Sequence, residues 1–239
     1  MSGLKRFFVN KVEPTTELSG EEFEHAKNVL RLSNGDEVIL LDNSGKEYTA
    51  VIAQVEKKRM LLNVVREELG EREAAVDVCL LFGYLKNADK NEFIVQKAVE
   101  LGVKKIGVFS SEFSSAYMNA NKLERLNKVA KESAKQCLRA TAPEIVYYDT
   151  LDKALVSAKD YQNKLFACEF AMESKCDIDT LAGDTVIVIG SEGGFSREEE
   201  EKASALGYAS VTLGKRILRA ETAAVALTSV VMFQLGELR

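Results

Sequence analysis

The spacing of hydrophobic and polar positions changes near residue 70, and it predicts two different architectures on either side. Before the change, Ser19 and Glu22 stand at capping-box spacing and predict a helix over 21–30. Three strand-length runs follow, 37–42, 47–55 and 60–66, joined by Asn43-Ser44-Gly45 and by Lys57-Lys58-Arg59. Hairpin-connected strands of that length predict a small antiparallel barrel over 1–70. The charged stretch 67–73 then reads as a linker. Beyond it, strands at 76–83, 104–109, 145–148 and 164–168 alternate with a helix capped by Asp89 and stopped by Gly102, and with a long amphipathic helix that Asn121 and Glu124 open. Such alternation predicts a mostly parallel sheet covered by helices over 74–239.

The stretch 185–235 is the most patterned part of the chain. A β-branched run, Thr185 to Ile189, feeds Gly190-Ser191-Glu192-Gly193-Gly194; Ser196 with Glu199 then opens a helix that closes near Gly207. The unit repeats, because the apolar run 209–213 is broken at Gly214, and Lys215-Arg216-Ile217-Leu218-Arg219 leads into an apolar helix over 220–235. Two strand, loop and helix units in series place two loops at the carboxyl edge of a parallel sheet, where helix amino ends offer N–H groups to a ligand. Either loop alone reads equally well as a plain turn. A phosphate cradle is disfavoured, since Glu192 repels an anion and neither glycine-rich phosphate motif occurs. The pair suits a flat, polar ligand without strong negative charge.

Composition narrows the function classes. With 46% hydrophobic and 29% charged residues the chain is globular, and no apolar run approaches the ~18 residues that span a bilayer. With an amino terminus too poor in apolar residues for a secretory signal, a cytoplasmic protein without membrane contact is expected. Cys79, Cys137, Cys168 and Cys176 form no C-x-x-C pair, so neither a metal site nor a disulfide framework is indicated, and free thiols are expected. A net charge of −5 gives no global attraction to nucleic acid. An RNA partner therefore requires local clusters such as Lys5-Arg6, Lys57-Lys58-Arg59 and Lys215-Arg216 with Arg219, each of which reads equally as solvated surface.

The two loops, Gly190 to Ser196 and Leu213 to Ala224, resemble the last two motifs of the RsmE family of SPOUT methyltransferases. Three further patches match: Lys86 with 93–103, Ser110-Ser111-Glu112 with Ser114, and 132–139 with Pro143. More weakly, Phe7-Phe8, His25 and 29–32 through Gly35-Asp36 match the family's PUA-like RNA-binding domain. The resemblance implies an α/β fold with a deep trefoil knot behind a PUA-like barrel, a homodimer, and methylation of uracil N3 in 16S ribosomal RNA, within the small subunit, by S-adenosylmethionine. It implies donor binding by Gly190, Ser191, Glu192, Gly193 and Gly194 in the first loop, and by Leu213, Gly214, Ile217, Leu218, Arg219, Thr222 and Ala223 in the second. It implies RNA contacts from Arg6, Arg31, Lys86 and Lys97, with His25 packing or touching RNA. Ser191 departs from the family's usual proline; a serine there is common in relatives that methylate ribose 2′-oxygen.

Methyl transfer from a sulfonium is an in-line displacement that needs alignment and exclusion of water, and no metal. The uracil N3 proton must leave, and the resulting charge must be held by a cation. Arg139 and Arg219 are the expected holders, because arginine stays charged and its planar fork suits an imide edge. Glu221 or Glu192 accepts the proton or orients an arginine. The alternatives are a ribose 2′-O methyltransferase and an RNA-binding assembly factor without catalysis.

Overall fold

A computed structural model describes residues 3–168 and 178–238, and Cys176 lies outside them. Two compact units form. The first holds the residues up to Glu73 together with Ala134–Ala142; the second holds Ala74–Ser133 and the residues from Pro143 onward.

The first unit is built on a five-stranded sheet of order β1-β3-β4-β5-β2. Its strands are β1 (Lys5–Phe8), β2 (Thr15–Ser19), β3 (Glu37–Leu41), β4 (Lys46–Val55) and β5 (Arg59–Leu69). The expected antiparallel barrel needs correction, because β1 runs parallel to β3 while the other pairs are antiparallel. Alternation buries Phe7, Leu18, Leu40, Ile52, Met60 and Leu62 on one side, where they enclose Phe23 of α1 (Gly20–Glu24). Burying a side chain of this size contributes about 1.5–3 kcal/mol.

The capping box expected at Ser19 does not form. Ser19 makes no side-chain cap, and Glu22 is instead ion-paired to Lys135. The helix nevertheless starts there, and it continues as a wider turn through His25–Val29. His25 is exposed and not packed. The expected linker is partly strand, since β5 runs to Leu69.

The second unit holds a six-stranded sheet of order β11-β9-β10-β6-β7-β8, parallel throughout. Its strands are β6 (Val78–Gly83), β7 (Lys105–Phe109), β8 (Ile145–Tyr148), β9 (Asn163–Ala167), β10 (Thr185–Ile189) and β11 (Ala209–Val211). Every residue of β6 and β10 is buried, as befits central strands covered on both faces. The covering helices are α2 (Ala88–Glu100), α3 (Ala120–Gln136), α4 (Leu151–Ser157), α5 (Arg197–Ala205) and α6 (Ala220–Gln234). Two caps differ from expectation: Asn87 accepts the Asp89 N–H at 2.8 Å, and Asn119 accepts the Lys122 N–H at 3.0 Å.

From β6 the chain steps outward through β7 to β8. It then crosses to the other half of the sheet for β9, inserts β10 between β9 and β6, and ends with β11 beyond β9. Such a reversal opens a crevice at the strands' carboxyl ends. No described helix is long and apolar enough to cross a membrane.

Candidate functional site

A cavity of about 600 Å³ lies where β9, β10 and β11 end. From the first loop Gly190, Ser191, Glu192 and Gly194 line it; from the second, Leu213, Gly214, Ile217, Leu218 and Arg219, with Ala223 at the start of α6. Gly193 and Thr222 are not part of the wall. The sequence reading missed Ala167, Cys168 and Lys90, which are. The first two are within reach of the sequence, because the run over 164–168 predicts a strand that ends there. Its position between β10 and β11, which puts its end under both loops, came only from the pairing of the sheet.

The first loop is tightly held. Gly194 has φ +67°, its N–H bonds the Ser191 carbonyl at 3.0 Å, and the two residues form an isolated bridge. Gly83, at the end of β6, lets this loop come close: a Cβ there would lie 2.6 Å from the Ser191 backbone nitrogen. The Glu192 carboxylate accepts the Lys86 N–H at 3.0 Å. Downstream, the capping box at α5 forms as expected, with Ser196 and Glu199 each accepting from the other's backbone. The buried Glu199 also accepts the Glu112 N–H at 2.9 Å, tying the loop after β7 to the start of α5.

The second loop is open. Gly214, Lys215, Arg216, Ile217 and Arg219 are exposed, and neither Lys215 nor Arg216 has an ion-pair partner among the described residues. Beneath it, Glu221 in the first turn of α6 pairs with Lys90 of α2 at 2.9 Å. Burial works against the Glu221 charge. The Lys90 hydrogen bond, a backbone N–H and the charges of Lys90 and Arg219 outweigh it and hold the carboxyl below its usual range. A carboxylate held in this way is a poor proton acceptor, so its geometry suits orientation better than general-base work.

Two buried polar atoms in the wall, Ser191 Oγ and Glu221 Oε2, lack a hydrogen-bond partner. Orphans of this kind are costly unless a ligand satisfies them. One hydroxyl and one carboxylate oxygen fit a ligand that brings amine and hydroxyl donors and positive charge, as S-adenosylmethionine does.

The other expected site residues do not line the cavity. Arg139 belongs to the first unit and is 3% exposed. Its guanidinium bonds the Glu73 carboxylate at 2.8 and 3.1 Å. Burial pushes the Glu73 carboxyl up, but its bonds from Arg139 and Thr141 prevail and its pKa is lowered. Arg6 is likewise ion-paired inward, to Glu47. Lys97 pairs with Glu100 at 2.8 Å, whereas Lys86 and Arg31 are exposed.

A family model described as an RNA methyltransferase domain matches residues 72–232, and one described as an RNA methyltransferase PUA domain matches residues 18–65. The ribosomal RNA small subunit methyltransferase E of Mesomycoplasma hyopneumoniae (strain 232) is 34% identical, over 93% of this chain and 96% of that one. The protein of the same name in Bacillus subtilis (strain 168) is 28% identical over 99% of both chains. The crystal structure of a ribosomal RNA small subunit methyltransferase E from Neisseria gonorrhoeae, bound to S-adenosyl methionine, superposes with a TM-score of 0.84 at 28% identity, covering 98% of each chain.

Proposed function

The chain belongs to the RNA methyltransferase family, alongside the small-subunit methyltransferases E, and we propose that it transfers a methyl group from S-adenosylmethionine to N3 of a specific uridine in 16S ribosomal RNA. The observation that carries this reading is the cavity between the two glycine loops, with two orphaned polar atoms in its wall. The donor supplies a sulfonium methyl group. The first loop, pinned by Gly83 and the α5 cap, gives it a fixed bed, and Ser191 and Glu221 satisfy their open valences on it. Gly193, on the loop's far side, and Thr222 act through backbone placement rather than as wall.

Arg219, exposed at the rim, holds the imide charge that develops as the N3 proton leaves. Glu192 is the proposed proton acceptor, since Glu221 is committed to Lys90. Arg139 is assigned to stability through Glu73 instead of to charge stabilisation. Lys86 and Arg31 remain the proposed RNA contacts, whereas Arg6 and Lys97 are committed to carboxylates. The family's deep knot is assigned to the chain path over 185–235.

The protein is proposed to act in the cytoplasm on the small ribosomal subunit, as a homodimer. Apolar residues left exposed on α6, Val230 and Phe233, with Phe93 of α2, support self-association. Ser191 favours a second reading, methylation of a ribose 2′-oxygen. Incubating the protein with labelled donor and unmodified small subunits, then digesting the RNA, decides between them. A labelled N-methyl base supports the first reading, an alkali-resistant dinucleotide supports the second, and donor-free RNA binding without label removes both.

A further inference from the structure

The loop between β7 and α3 exposes two aromatic side chains, Phe113 at 47% and Tyr117 at 76%. Ordinary surface loops hold such rings by chance, but this one is built to hold them in place. The Ser111 N–H bonds Ser114 Oγ at 2.8 Å, the Glu112 N–H bonds buried Glu199 at 2.9 Å, and Lys122 Nζ bonds the Tyr117 carbonyl at 2.7 Å. Phe113 also abuts the first glycine loop so closely that a Cβ on Gly193 would lie 2.5 Å from its own Cβ. The glycine loop therefore has two sides. One lines the cavity, whose wall also carries Lys215, Arg216 and Arg219; the other carries Phe113.

We propose that Phe113 and Tyr117 form a stacking shelf for RNA bases next to the nucleotide that enters the cavity. The inference rests on the chain's acting on RNA and adds to it the residues that grip the strand. Three features favour single-stranded RNA over a second protein chain as the occupant. Phe113 abuts the loop whose other face lines the reaction cavity, the rings lie on a loop rather than on a continuous apolar face, and Lys86, whose N–H is held by Glu192 of that glycine loop, is exposed, as are Lys215 and Arg216 of the cavity wall. The loop's own acidic group, Glu112, is a single exposed carboxylate against them. Every base has a π-face, so such a shelf grips without reading sequence. Splaying out the target base unstacks its neighbours, and the shelf gives them new partners.

The test uses unmodified small subunits and, as a spectroscopic probe, a single-stranded oligouridine containing 2-aminopurine. Phe113→Ala and Tyr117→Ala should each raise the RNA KM about tenfold, the loss expected for one base on one ring, and abolish quenching of the probe. Phe113→Tyr and Tyr117→Phe should restore both, with donor affinity by calorimetry unchanged throughout. Wild-type KM and quenching in the alanine variants would overturn the inference while leaving methylation intact. Equal loss of donor affinity would also overturn it, by showing that Phe113 only props Gly193. So would a shift from dimer to monomer in sedimentation, which would make the shelf a subunit contact. A wild-type protein that binds donor but methylates no RNA would bring down the functional reading first, and the inference with it.

Discussion

Gly83 shows how much a single absent side chain decides. Its would-be Cβ meets backbone, not a flexible tip, so Gly83→Ala must displace the Gly190–Gly194 loop. The expected result is a loss of about 1–3 kcal/mol of stability in denaturant titration, with donor affinity falling by about tenfold or more in calorimetry. Nothing in the local sequence signalled this, because the atom it protects lies over a hundred residues away, at Ser191. Arg219's place in the cavity wall, in contrast, follows from the loop that Gly214 opens, and its catalytic role is our proposal. Arg219→Ala should lower turnover on RNA by about 100-fold while disturbing donor binding far less, as measured by kinetics and calorimetry side by side. Glu221 adds a pH expectation. Its folded pKa lies below the ordinary 4.5, so its contribution is complete above that pH and is lost only as pH falls through the lower, folded value. Donor affinity should therefore show no Glu221 titration near neutrality.

Among the elements, α5 and α1 had the same signal, a serine followed three residues later by glutamate. At α5 the box closes; at α1 it does not, because Lys135, 113 residues away, takes the Glu22 carboxylate. Spacing reports what a local motif can do, and a distant competitor decides whether it does. Ser196→Ala should cost about 1 kcal/mol in thermal or denaturant unfolding, as loss of a serine cap does. The end of α3 supplies a second case. Arg139, an expected catalytic cation, is buried and ion-paired with Glu73, and on that geometry we assign it to stability instead. Glu73→Gln leaves a buried guanidinium short of its carboxylate and should cost on the order of 3 kcal/mol. The Glu73 pKa is lowered in the fold, so the wild-type contribution is present above about pH 4.5 and fades as pH falls through the folded value. The variant's stability should depend less on acid than the wild type's.

For the molecule as a whole, a net charge of −5 must coexist with a polyanionic substrate. The exposed pair Lys215 and Arg216 on the open second loop offers the local exception. RNA affinity should fall with salt, and Lys215→Ala or Arg216→Ala should each lower the log–log salt slope by about 1, measured by fluorescence titration. Exposed Val230 and Phe233 on α6 give the matching expectation for assembly. Phe233→Asp should shift sedimentation from dimer toward monomer at micromolar concentration, because it places a charge in an apolar contact.

The order of runs along the chain determined the alternation of strands and helices beyond residue 70, the buried β10 and the loop after it, and the cap of α5. Each of these follows from side chains within a few residues of one another. Short elements without a full period, β1, β2 and α4, escaped the pattern, and the parallel pairing of β1 with β3 could not be read from hairpin spacing. The seating of β9 between the two loop-bearing strands, which turns two turns into one cavity, was decided by tertiary structure alone. So was the pairing of the charged groups: among the described residues Lys215 and Arg216 have no carboxylate partner, whereas Arg139, Arg6 and Lys97 each do. The physical reason is the same in both cases: backbone pairing and charge pairing are settled between residues far apart in sequence, while propensity and capping act only between neighbours.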